Sequence, residues 1–164
     1  MRRSALALAA AATVLALPAA AAAALGISST TNTSTTVTLN GFDQTATGSF
    51  TMTISGAGTT GWHVTAWAAV PKDGSATIGT LSIPSQPSAS ACTGVGCVTP
   101  TPSGLSYPLT LGTTSGSAVK IYNAAARTGT GTDPVTVPYA TAVPANALAG
   151  PYTTTITLAI VSGP

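Results

Sequence analysis

Beyond residue 25 the apolar side chains recur at every second position, and no stretch carries the three-to-four spacing of a helix. The last segment shows this most clearly. Tyr152, Thr154, Ile156, Leu158 and Ile160 share one parity, and Thr153, Thr155, Thr157, Ala159 and Val161 share the other. Side chains of an extended chain alternate between two faces, so this period selects a strand with one face toward a core. Thr36–Leu39 and Phe50–Ile54 repeat the pattern, and shorter runs follow at 80–83, 107–111, 118–122 and 135–139. Clusters rich in Gly, Pro and Asp separate them. Pro71-Lys72-Asp73-Gly74 reads as a tight turn, and Gly58-Thr59-Thr60-Gly61 as a hairpin connection. Residues 84–104 and 124–133 read as loops, with Asp133 in a Thr-Asp-Pro turn. The expectation is an all-β domain, an antiparallel β-sandwich or Greek-key barrel of about seven to nine strands.

One strand is singled out by its contents. Gly61-Trp62-His63-Val64-Thr65-Ala66-Trp67-Ala68-Ala69-Val70 holds both tryptophans and the single histidine of the chain. In extended form Trp62, Val64, Ala66, Ala68 and Val70 point one way, and His63, Thr65, Trp67 and Ala69 the other. One indole then enters the core and the second lies on the opposite face, where an aromatic ring can stack on a ligand. Trp67 and His63 are the candidate ligand-binding residues.

The chain opens with Met1-Arg2-Arg3, an apolar run from Leu6 to Leu17, Pro18 and an alanine tract. This is the pattern of a secretory signal, expected over residues 1–24, followed by a single domain over 25–164. The net charge of +2 comes from five basic against three acidic residues. Arg2 and Arg3 belong to the signal, so the exported part balances Lys72, Lys120 and Arg127 against Asp43, Asp73 and Asp133. No basic patch remains to neutralise phosphates, which argues against nucleic acid as a partner. Asn32-Thr33-Ser34 matches a glycosylation sequon. The expected location is outside the cell or on its wall, with no membrane span in the mature chain.

Cys92 and Cys97, in Cys92-Thr93-Gly94-Val95-Gly96-Cys97, read as a disulfide closing a small loop in an exported chain. A metal would need further Cys or His ligands nearby, and none is present, so no metal or other cofactor is expected. Catalysis needs convergent acids, bases or nucleophiles. One histidine, three aspartates and no glutamate, with no motif framing a serine, make a non-catalytic protein the expectation.

Two segments carry a resemblance. Gly61-Trp62-His63-Val64 resembles the first Trp-x-Leu signature of WxL domains, with Val64 in the leucine place. Val143-Pro144 through Ala149-Gly150-Pro151-Tyr152 and the threonine-rich run to Ile160 is similar to that family's closing segment. There Leu158-Ala159-Ile160 occupies the place of the second Trp-x-Leu, so the second tryptophan is replaced. The resemblance implies an extracellular all-β domain attached non-covalently to the bacterial cell wall through peptidoglycan. Alternation assigns the residues at these two places, Trp62, Val64, Tyr152, Leu158 and Ile160, to the core. The alternative is a structural or assembly subunit, pilus-like or coat-like, that packs on other surface proteins through its strand edges.

Overall fold

A computed structural model describes residues 24–29 and 35–164. The expected signal segment, apart from residue 24, and the Asn32 sequon lie outside them. The described residues form β1 (Gly26–Ser29), β2 (Gln44–Ala57), β3 (Trp62–Ala68), β4 (Lys72–Asp73), β5 (Ala76–Thr77) and β6 (Leu81–Ile83). They continue with β7 (Ser88–Ala89), β8 (Thr93–Val98), β9 (Leu109–Thr110), β10 (Val119–Ala124), β11 (Thr130–Val143) and β12 (Ile156–Ser162). A 3-10 turn, Ser115–Ser117, precedes β10. The fold is all-β and its strand ladders are antiparallel. No helix among the described residues is long and apolar enough to cross a membrane.

Two sheets face each other. The larger runs β1-β2-β11-β6-β9, with β7 and β8 also pairing β11, and the smaller runs β10-β3-β12. Between them Phe50, Met52 and Ile54 of β2 and Val135, Val137 and Tyr139 of β11 meet Trp62, Val64, Ala66 and Ala68 of β3. Alternation along each strand puts these residues on one inner face, as expected of a sandwich. The turn at 59–60 is no hairpin. β2 and β3 do not pair, and the turn carries the chain from one sheet to the other.

The β2–β11 pair is the long seam of the larger sheet, in register from Thr132↔Ser55 to Val143↔Gln44. β11 is longer than its sequence suggests because it contains two prolines. Pro134 and Pro138 cannot donate to a ladder, and proline is normally kept at sheet edges. The Pro134 carbonyl accepts from the Ser90 N–H at 2.9 Å, so Pro134 and, by alternation, Pro138 turn their missing donors away from β2. That side of β11 is served in pieces by β6, β7 and β8. The segment 84–104, expected as a loop, is thus drawn along β11 and supplies two of those pieces.

The Cys92–Cys97 disulfide is formed, with Cα atoms 6.0 Å apart, and it ties the two ends of β8. Gly131 sits at φ 111° where a Cβ would meet Cys97 Cβ at 2.7 Å. Glycine there lets the bridged β8 segment close on β11.

Three further expectations are corrected. Thr36–Leu39 forms no strand; the segment is largely exposed and has no ladder partner among the described residues. Asp133 is not in a turn. It lies within β11 beside inward Val135 and is completely buried. Tyr152 does not join the core row: it precedes β12, is half-buried, and its hydroxyl donates to the Leu148 carbonyl at 3.1 Å. β3 ends at Ala68, opposite Ile156, so upstream of Ile156 there is no neighbouring strand to hold the alternation in register.

Candidate functional site

β3 is the central strand of the smaller sheet and its parity divides two environments. Trp62, Val64, Ala66 and Ala68 are buried, while His63, Thr65 and Trp67 are half-buried on the outer face. The inner indole is fully committed. Trp62 Nε1–H donates to the Gly129 carbonyl at 2.9 Å. Its ring stacks on Tyr122 with centroids 5.3 Å apart and planes at 24°. Gly129 has φ 65° and passes so close that a side chain there would strike the indole. Burial pushes the Tyr122 hydroxyl pKa up, with smaller contributions from the charges of Tyr107 and Asp133.

The outer indole opens onto a groove of about 350 Å³ lined by Trp67, Ala69, Val70, Lys72, Thr153, Thr154, Thr155 and Thr157. Register places Thr157 directly beside Trp67 on the same face. The far wall is the connector that precedes β12. It is strapped down by reciprocal backbone bonds, Lys72 N–H to the Thr153 carbonyl at 3.1 Å and Thr153 N–H to the Lys72 carbonyl at 2.9 Å. Thr154 Oγ1 donates to the Ala69 carbonyl at 2.6 Å and closes the floor. Lys72 is held at the groove mouth by the β4–β5 hairpin, whose turn uses Gly74 at φ 56°. Among the described residues lining the groove it is the one charged side chain. An aromatic face, a row of hydroxyls and one ammonium can bind a polyhydroxylated ligand, by stacking on one side and hydrogen bonding on the other.

His63 is not brought to this groove. It lies on the same face as Trp67 but four residues back along β3, about 13 Å away at strand rise. Its Nδ1–H donates to the Gly163 carbonyl at 2.7 Å, which pins the segment after β12 to β3. Of the two candidate ligand-binding residues, Trp67 lines the groove, and His63 lies outside it, bonded to the Gly163 carbonyl. Of the proposed core motif, Trp62 and Val64 are buried. Leu158 and Ile160 pack against the core from a half-buried edge. Lys72 and the threonines of the connector went unnoticed in the sequence. Thr155 and Thr157 share the parity that places Thr157 beside Trp67, and the turn at Lys72-Asp73-Gly74 marked where the hairpin would stand.

Asp133 is the other unusual group. Both of its carboxylate oxygens are buried without a hydrogen-bond partner, and burial pushes its pKa up to about 6. No cluster of three or more His, Cys, Asp or Glu that could hold a metal occurs among the described residues. No family model, curated protein or solved structure matches the chain.

Proposed function

We propose that the domain attaches an exported protein non-covalently to the bacterial cell wall by holding a peptidoglycan glycan in the Trp67 groove. The observation that carries this reading is an indole facing an open groove on the outer side of the central strand, opposite a wall of threonines. A sugar presents an apolar face of C–H groups to an aromatic ring and hydroxyls to the side. The groove offers a partner for each. Its volume lies at the lower end of the ~300–1,000 Å³ typical of ligand sites, enough for one or two sugar rings. The resemblance of Gly61-Trp62-His63-Val64 and of the closing segment to WxL domains supports the same assignment. In this reading the family-like tryptophan, Trp62, maintains the fold and Trp67 makes the contact.

Purified sacculi test the proposal. The exported chain should sediment with them, and Trp67→Ala should release it to the supernatant with the fold intact by circular dichroism. Equal sedimentation of wild type and variant would remove the groove from the account.

A further inference from the structure

Each sheet of a sandwich ends in strands whose outer N–H and C=O groups lack partners, and proteins blunt such edges by shortening them or adding charge, proline or a bulge. Among the described residues the strand orders of the two sheets end in β1, β9, β10 and β12, and the first three are blunted. β1 has four residues, and β9 has two and follows Pro108. β10 has a bulge between Lys120 and Tyr122 and carries the Lys120 ammonium. β12 has none of these devices. Its seven residues, Ile-Thr-Leu-Ala-Ile-Val-Ser, pair with β3 in unbroken register from Ile156↔Ala68 to Ser162↔Trp62. They contain no charge, proline or glycine, and no other strand among the described residues pairs with them.

The free groups can be assigned. Gly163 N–H donates to the Gly61 carbonyl, so residues of that parity face β3. Ile156, Leu158, Ile160 and Ser162 therefore aim their N–H and C=O groups at the open edge. β1 lies close to β12 without pairing with it, and the inward row of β12 is incompletely covered. Ile156, Leu158 and Ile160 are only half-buried, whereas the facing row of β3 is buried.

We propose that β12 pairs with β12 of a second copy across a two-fold axis normal to the sheet. Such an axis keeps each face of the sheet on its own side, so it must centre on a residue. Centred on Leu158, it sets Leu158 against its twin, Ile156 against Ile160, and Thr157 against Ala159. Apolar then meets apolar on the inner face, and two small side chains meet on the outer face. Because the strand is uncharged, like-with-like pairing incurs no repulsion. A second copy supplies the alternation that this edge fits. The result is one six-stranded sheet, β10-β3-β12 twice over, with both Trp67 grooves on the same side. A strand junction of this length buries less than a standard interface, so the pair dissociates on dilution. The pairing stands whether or not the groove binds glycan; if it does, the pair binds the wall through two sites.

Sedimentation equilibrium of the chain purified after export tests this, across micromolar to millimolar concentration. The mass should rise toward twice the monomer. Ala159→Lys, at an exposed outer position, should weaken association about tenfold without changing the thermal melt. Mixing it with Thr157→Asp should restore association, because the introduced charges then lie directly opposite. A monomer at all concentrations, an unaffected Ala159→Lys, or no recovery on mixing would each overturn the two-fold β12 junction.

Discussion

Trp62 and Trp67 lie on the same strand, yet their surroundings have little in common. Around Trp62 the side chain itself is fully engaged: the indole N–H finds a carbonyl, the ring finds Tyr122, and Gly129 leaves room for both. Around Trp67 the ring borders open space and a row of threonines. An odd separation along an extended chain is enough to put two like residues in unlike places. The comparison teaches that the two should fail differently when removed, one in stability and one in binding.

The largest effect is expected at the inner ring. Trp62→Ala empties a fully buried site and leaves the Gly129 carbonyl without its donor, so it should cost about 3–5 kcal/mol in urea unfolding. A loss below about 1 kcal/mol would mean that the inner pocket collapses freely and that the contrast with Trp67 is overstated.

A smaller effect belongs to Asp133, at the same end of the sandwich as Trp62. Its folded pKa of about 6 is raised above the value of an exposed aspartate. The folded state therefore holds the proton more tightly than the unfolded state. The associated stability is fully present below pH 4 and is lost as the pH rises through about 6. Thermal melts should show the protein more stable at pH 4.5 than at pH 7.5, by about 2 kcal/mol from this group. Asp133→Asn should flatten that dependence. An unchanged pH profile in the variant would place the titration elsewhere.

The smallest stability effect is expected at Trp67. Its ring is half-buried on the outer face, so Trp67→Ala should cost less than about 1 kcal/mol. A cost close to that of Trp62→Ala would mean the outer ring is a packing residue, and the two regions would no longer differ in kind.

What was legible in the sequence was whatever alternation alone decides. The opposed faces of β3, the all-β class and the Cys92–Cys97 bridge follow from residue period and spacing. What was hidden depends on partners far along the chain. Pro134 and Pro138 argue against a central strand until the broken pairing on one side of β11 is known. Asp133 beside Pro134 looks like a turn residue, and only the β2–β11 register draws it inside. Tyr152 has the right parity for the core, but β3 stops before reaching it. His63 shares a face with Trp67, yet the carbonyl that occupies it, that of Gly163, lies 100 residues away in sequence. The groove was half visible for the same reason: Trp67 could be read from β3, but its far wall is built by the connector at 153–155.

Trp62→Phe leaves Trp67 as the only indole, and its fluorescence tests the central claim most directly. The emission should be that of a partly solvated ring, quenched by acrylamide, and soluble peptidoglycan fragments should protect it in a saturable way. An indole that acrylamide cannot reach, or one whose quenching is the same with and without the fragments, would contradict the assignment of Trp67 as the contact.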